Sequence, residues 1–216
     1  MILLLGSTGY IGSEFAKQMR RRGIQFRTIQ HGDVDGEEFY NYSSVINCAA
    51  YIPKPAVVLC DQHVEETLRG NLMLPLRLAR KCDRAQIPFM HISTGCLYND
   101  SNVHSETDTP QRGCGGYAGI YVGTKLLSEE AVSQFSMHYV LRIRLPFDQF
   151  DNERNYFSKI AAHPNVWNQV NSLSHRADIA NAALDLLELK AEFGIYNMAN
   201  LKTNIGRSQN KTSNTI

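Results

Sequence analysis

A surplus of either charge is absent: 22 Lys and Arg stand against 21 Asp and Glu, a formal net charge of +1. No basic excess is available to draw the chain to nucleic acid or to an anionic membrane surface. The one basic cluster, Arg20-Arg21-Arg22, reads as the solvated end of a helix, with proximity to a cofactor phosphate as the alternative. Long apolar runs are missing as well, so no segment is read as a bilayer span. Met1–Leu5 carries no basic leader and is too short for a signal peptide. The five cysteines (Cys48, Cys60, Cys82, Cys96, Cys114) form no Cys-x-x-Cys pair, and the seven histidines show no ligand spacing, so no metal site is expected. An odd number of widely spaced cysteines points to free thiols in a reducing compartment, the cytoplasm.

Apolar residues make up 43% of the 216 positions and charged residues 20%. That balance suits a soluble protein with one sizeable core and room for a small lobe. The sharpest signal comes first. Met1-Ile-Leu-Leu-Leu5 is an apolar run of strand length that leads straight into Gly6-Ser-Thr-Gly-Tyr-Ile-Gly12, and a helical pattern follows. Such a turn lets backbone N–H groups approach a pyrophosphate at a helix N-terminus, where the helix dipole also favours negative charge. Glycine is needed where a Cβ would block that approach or force a strained φ. The plain alternative is an ordinary strand-to-helix loop, against which the strand–turn–helix context argues.

Strand and helix patterns then alternate, which predicts a doubly wound parallel α/β sheet of Rossmann type. The expected strands are Ile2–Leu5, Gln25–Gln30, Ser44–Ala49, Pro88–Ser93 and Tyr139–Leu145, the last ending at Pro146. Expected helices are Ile11–Arg21, Gln62–Lys81, Ile120–Gln134 and Ala177–Leu189. Pro75 should kink or break the second of these. Ser101–Gly116 is polar and glycine-rich and reads as a loop. We expect a dinucleotide-binding domain over 1–146, a small and incomplete C-terminal lobe over 147–200 with the sheet re-entered near 177–200, and a disordered tail over 201–216.

Two constellations carry chemistry. In Tyr121-Val-Gly-Thr-Lys125 the i, i+4 spacing puts the phenol and the ammonium on one helix face. A nearby cation favours the phenolate and lets the tyrosine exchange a proton near neutral pH. Alone, the pattern suits any amphipathic helix; after a dinucleotide turn it points to a redox site. His91-Ile-Ser-Thr94-Gly-Cys96-Leu-Tyr98 falls where a central strand ends, and ligands of open α/β sheets bind beyond the carboxyl ends of the strands. Thr94 is placed to hydrogen-bond a substrate oxygen beside Tyr121, or else caps local backbone. Cys96, without this context, is a small buried hydrophobe.

Together the turn, Thr94 and Tyr121/Lys125 resemble an extended short-chain dehydrogenase/reductase acting on nucleotide sugars. Asn47-Cys-Ala-Ala50, Lys54-Pro55, Cys60-Asp-Gln-His63, Glu66–Asn71, Thr94-Gly-Cys96, Leu141–Pro146 and Arg154-Asn-Tyr-Phe-Ser-Lys159 narrow the resemblance to the epimerase-reductase of UDP-rhamnose synthesis. It covers about residues 1 to 200. The GDP-fucose synthase and dTDP-4-dehydrorhamnose reductase groups are more distant. The resemblance implies a reductase triad of Thr94, Tyr121 and Lys125, in which Tyr121 protonates the C4 oxygen and Lys125 holds the nicotinamide ribose. It implies that Cys96 and Lys159 form the acid/base pair that inverts C3 and C5. A 4-keto group acidifies the neighbouring carbons, so a base on one face and an acid on the other invert each centre through an enolate. A thiol near a cationic network would have the lowered pKa this needs.

Cofactor contacts are expected from Gly6, Thr8, Gly9, Tyr10, Ile11, Gly12, Gln30, Ala49, Ala50, Lys125 and Pro146, and substrate contacts from Asn71 and Asn155. Gly95 and Cys96 stand where 4,6-dehydratases carry an acidic pair, which argues against dehydration. Gln30 and His31 end the second strand without the Asp that binds a ribose 2′-OH. The cofactor is therefore expected to be NADP, with NAD retained if Asp33 or Asp35 reaches the ribose. The expected substrate is a UDP-4-keto-6-deoxyhexose. Two other functions stay open: a 4-reductase or 4-epimerase without 3,5-epimerisation, and a non-catalytic NAD(P)-binding protein. Family members often pair through helices, which makes Gln62–Lys81 and Ile120–Gln134 the candidate surfaces of a homodimer.

Overall fold

Ile2–Leu5 is buried at all four positions, as a strand covered on both faces must be. The computed structural model describes residues 1–54, 56–98, 102–110, 119–164, 169–200 and 203–205. In chain order the elements are β1 (Ile2–Leu5), α1 (Gly12–Arg21), β2 (Phe26–Ile29), β3 (Ser44–Asn47), α2 (Val64–Leu68), α3 (Leu74–Ala85), β4 (Phe89–Thr94), α4 (Gly119–Val132), β5 (His138–Ile143), β6 (Pro146–Phe147), α5 (Tyr156–Ala162), β7 (Gln169–Asn171), β8 (Ser174–His175), α6 (Arg176–Glu188), β9 (Gly194–Met198) and β10 (Thr203–Ile205).

Six strands form one parallel sheet in the order β2-β1-β3-β4-β5-β9. Side chains alternate across it with the period of two that a strand imposes. Leu3, Leu5, Val45, Phe89 and Val140 enter one layer, completed by Leu74, Leu78 and Val132 of α3 and α4. Ile2, Leu4, Ile46, Met90 and Leu141 enter the other, completed by Phe15, Met19, Ile179 and Leu184 of α1 and α6. This is the doubly wound Rossmann-type sheet that the alternation of elements predicts. From β1 the chain runs outward to β2 on one side and returns to β3 on the other. The crevice beyond the carboxyl ends of β1 and β3 is therefore the switch point of the sheet.

Several expectations are corrected. The helix expected over 62–81 is divided into α2, a π-helical turn over Arg69–Met73, and α3, with Pro75 in the first turn of α3. Proline has no N–H to give to residue 71, and its ring crowds that carbonyl, so the wider turn takes up the mismatch. Arg22 is not a solvated helix end: it donates to the Asn181 side chain at 2.9 Å and to Asp185 at 2.6 Å, joining α1 to α6. Arg20 lies over the Phe26 ring at 5.4 Å. Within the tail expected to be disordered, Thr203–Ile205 pairs antiparallel with Gln169–Asn171, because β7 offers a free edge. The remaining tail, residues 101 and 111–116 of the expected loop, and with them Cys114, lie outside the described residues.

The sheet also buries charge. Arg142 on β5 donates through Nε and Nη2 to Glu129 of α4 at 3.0 and 2.8 Å, and Ser93 donates to the other carboxylate oxygen. Both ion-pair side chains are nearly inaccessible. With two donors on one carboxylate oxygen and one on the other, the buried charge is paired and hydrogen-bonded, the condition under which it is tolerated. Arg142→Met strands Glu129 and should lower the unfolding free energy by about 3–5 kcal/mol, read by urea melts. A loss below about 1 kcal/mol would mean that Glu129 reaches water.

Candidate active site

The glycine turn is set by close backbone approach. Gly6 has φ +75°, and a Cβ there would lie 2.5 Å from the Ala49 nitrogen. A Cβ on Gly12 would enter the Gly6 carbonyl. The turn closes with the Gly9 N–H donating to the Gly6 carbonyl at 3.0 Å. The Ser13 N–H donates to the Gly9 carbonyl at 2.9 Å and the Glu14 N–H to the Ile11 carbonyl at 3.0 Å, so the turn itself closes the start of α1, beside Thr8 and Gly9, which are exposed. A Cβ at Gly9 would meet only the Gly6 carbonyl. These features fit a pyrophosphate: a cradle that any larger residue would fill, at the positive end of a helix.

The neighbouring expected residues take defined places. Ala49 donates its N–H to the Asn47 side chain at 3.1 Å, and Ala50 is exposed at the crevice wall. Gln30 is exposed at the end of β2. Its N–H donates to the Asp33 carboxylate at 3.2 Å, and Asp35 is held by Arg77. Both carboxylates are exposed, and neither stands at the end of β2 itself, where Gln30 and His31 follow Ile29. Pro146 opens β6 directly after Leu145, whose φ is +44°.

Thr94, Cys96 and Tyr121 converge beyond the end of β4. The Thr94 hydroxyl accepts the Cys96 N–H at 3.2 Å, and Thr94 lies near enough to the Tyr121 hydroxyl to favour its anion. Gly95 between them is pinned, its N–H donating to Ile143 at 2.7 Å and its carbonyl accepting from Arg144 at 2.8 Å. Burial raises the Tyr121 phenol well above its ordinary value, with the neighbouring Cys96 adding to the shift. The cation that pulls it back is Arg154, whose Nη2 donates to the Ile52 carbonyl at 3.0 Å. The expected tuning of Tyr121 by Lys125 is therefore corrected. Lys125 is buried, its Nζ donates to the Ile92 carbonyl at 2.7 Å, and burial brings its pKa down to about 8. A helix face shared at i, i+4 does not decide which way a long side chain turns.

Lys159 lies one turn into α5, partly open to solvent, its pKa lowered first by desolvation and then by Arg154. Arg154 thus connects Lys159 electrostatically with Tyr121. Asn71 and Asn155 are corrected from free substrate contacts to backbone staples. Asn71, in the π-helical turn, accepts the Tyr51 N–H at 2.7 Å and donates to the Tyr51 carbonyl at 2.9 Å. Asn155 accepts the Phe157 N–H as the cap of α5 and donates to the carbonyls of Asp148 and Phe150. Both hold site loops in shape.

Sequence reading missed a buried chain behind the site. Asn47 donates to His91 Nδ1 at 3.2 Å, which assigns the proton to Nε2; Nε2 lies 3.2 Å from Ser128, and Ser128 donates to the Lys125 carbonyl at 2.8 Å. The chain ties the end of β3 to the helix of Tyr121 and Lys125. Its only sequence signal is three polar residues at positions whose period makes them interior.

A profile of the RmlD substrate-binding domain matches residues 1–207. The chain belongs to this family. A bifunctional dTDP-4-dehydrorhamnose 3,5-epimerase/dTDP-4-dehydrorhamnose reductase of Arabidopsis thaliana is 28% identical over 92% of the chain and 69% of its own length. A trifunctional UDP-glucose 4,6-dehydratase/UDP-4-keto-6-deoxy-D-glucose 3,5-epimerase/UDP-4-keto-L-rhamnose-reductase of the same plant is 27% identical over 92% of the chain, which spans 31% of that protein. Among solved structures, the L780 UDP-rhamnose synthase of Acanthamoeba polyphaga mimivirus shares the fold with a TM-score of 0.81 at 22% identity, over 93% of this chain and 76% of that one.

His91 is fully buried and its pKa is pushed well below 6.5 by burial and by Lys125. Below pH 6.5 the unfolded chain binds a proton that the folded chain refuses, so stability falls with falling pH, by up to about 1.4 kcal/mol per unit. His91→Gln should be less stable at neutral pH but show a shallower acid slope between pH 6.5 and 5. Parallel curves from denaturant melts would assign the acid sensitivity elsewhere.

Proposed function

We propose that this family member is an NADPH-dependent 3,5-epimerase/4-reductase acting on a UDP-4-keto-6-deoxyhexose. The observation that carries the reading is the convergence of Thr94, Cys96 and Tyr121 at the end of β4, with Arg154 joining them to Lys159. NADPH rather than NADH is favoured because Gln30 and His31, and no acidic residue, stand at the end of β2. When bound in the glycine cradle, the cofactor supplies hydride to C4 of the sugar.

The side chains then divide the proton work. Tyr121 stays a neutral phenol at physiological pH because burial disfavours its anion, which makes it a donor to the C4 oxygen as negative charge develops there. Thr94 orients that oxygen. Lys125 supports the strand end through Ile92, and its ammonium, with a pKa of about 8, holds the nicotinamide ribose. In the preceding epimerisation one of Cys96 and Lys159 takes the proton from C3 or C5 and the other returns a proton to the opposite face. The enolate between these steps carries its charge on the C4 oxygen, beside Tyr121.

Tyr121→Phe should lower kcat for reduction by about 10²–10⁴-fold while NADPH still binds, as followed by loss of NADPH absorbance and by cofactor fluorescence titration. An unimpaired rate would remove Tyr121 from the reaction. Cys96→Ser should abolish deuterium incorporation at C3 and C5 from D2O while much of the reduction of UDP-4-keto-L-rhamnose survives, as read by NMR. Reduction by the unaltered protein without such incorporation would leave a 4-reductase. NADPH binding with no turnover of any keto sugar would leave a cofactor-binding protein.

A further inference from the structure

Arg176, the first residue of α6, lies at a junction that the reaction above does not use. Its Nη2 donates to the Ser13 hydroxyl at 2.9 Å and lies 3.8 Å from the Glu14 carboxylate, both in the first turn of α1. Its guanidinium carbon sits 4.0 Å over the Tyr10 ring, in the glycine turn itself. Its Nη1 pairs with Asp148 just after β6. All three charged side chains are almost fully buried.

Asp148 passes the connection on. The same carboxylate accepts the Phe150 N–H at 3.0 Å and the Asn155 amide at 3.0 Å. Asn155 caps α5, and its carbonyl accepts the Lys159 N–H at 3.1 Å, a backbone bond of the first turn. Arg154, one residue before the cap, reaches back to the Ile52 carbonyl. A continuous polar path therefore runs from the glycine turn through Arg176, Asp148 and Asn155 to Lys159, over segments separated by more than a hundred residues of sequence. Every member except Lys159 is buried or nearly so, where charge is held only if paired and geometry is correspondingly strict.

We propose that Arg176 is a positioning residue: it fixes α5, and with it Lys159, in register with the glycine turn, so that the epimerising lysine and the cofactor cradle address one sugar. Only a guanidinium serves here. A planar fork can serve Asp148 and Ser13 at once while stacking on Tyr10, whereas an ammonium is a point charge that satisfies one side. The inference rests on the proposed role of Lys159 in epimerisation.

The test is Arg176→Lys, with Asp148→Asn approaching the same pair from the other side should the first variant fold poorly. Deuterium incorporation at C3 and C5 of UDP-4-keto-6-deoxyglucose should slow by about tenfold or more. Because Arg176 also stacks on Tyr10 of the cradle, reduction of UDP-4-keto-L-rhamnose, which needs no Lys159, is measured at saturating NADPH, where its kcat should stay within about threefold. The basic limb of the pH profile for incorporation should also move, because Lys159 changes surroundings. Amide hydrogen exchange across residues 156–162 is measured alongside, and both variants should lose protection there. Unchanged incorporation, or equal slowing of both reactions with an unmoved pH profile, would overturn the assignment. Should the unaltered protein incorporate no deuterium, the epimerase reading fails on its own; α5 protection then decides the positioning role, retained protection overturning it and lost protection upholding it.

Discussion

The structure depends on how closely three backbone segments meet at the switch point of the sheet. Gly6 leaves β1 with a positive φ, presses on the Ala49 nitrogen beyond β3, and lets Gly12 start α1 against its own carbonyl. A side chain at Gly6 or Gly12 would force β1, β3 and α1 apart. With all three in contact, the N-terminal end of α1 is brought to the carboxyl ends of the strands, where the helix dipole favours negative charge. The crevice therefore exists because of contacts that exclude a single methyl group.

Polar residues behind this crevice do structural work that resembles active-site chemistry in kind. Asn47, His91 and Ser128 relay hydrogen bonds from β3 to α4, and Arg142 with Glu129 and Ser93 joins β5, α4 and β4. Each network is nearly closed, which is what makes buried polarity tolerable and its geometry specific. The consequence for the site is directional. Lys125 is drawn to Ile92 by the interior it shares with these groups, and the cation that acts on Tyr121 is Arg154, delivered by a different part of the chain. Proton donation by Tyr121 then reflects burial more than a neighbouring ammonium.

Among the described residues, the segment between β5 and α6 forms no buried apolar cluster of its own. Its two-stranded pairs are short, and α5 spans only Tyr156–Ala162. Polar bonds hold it instead: Arg144 to Asn171 and Gly95, Asp148 to Asn155, and Asn155 to the start of α5. Such bonds are short-ranged and angular, so they set the orientation of Arg154 and Lys159 more sharply than apolar contact would.

Much was legible in the sequence where the signal is local. The glycine spacing after an apolar tetrad, the alternation of strand and helix, and Pro75 as a point of disruption all depend on neighbours within a few residues, and backbone sterics act at that range. The place of Thr94 as the last residue of β4 was legible because the His91–Tyr98 stretch reads as a strand running into a loop. What the sequence could not settle is long-ranged. That Asn71 and Asn155 staple backbone, that Arg22 reaches α6, and that Thr203–Ile205 finds the edge of β7 each depend on partners far along the chain. The residue types at the site were thus determined by sequence alone, whereas the direction in which each charged side chain turns was decided by tertiary packing, because a long flexible side chain follows the nearest buried partner and not its own helix face.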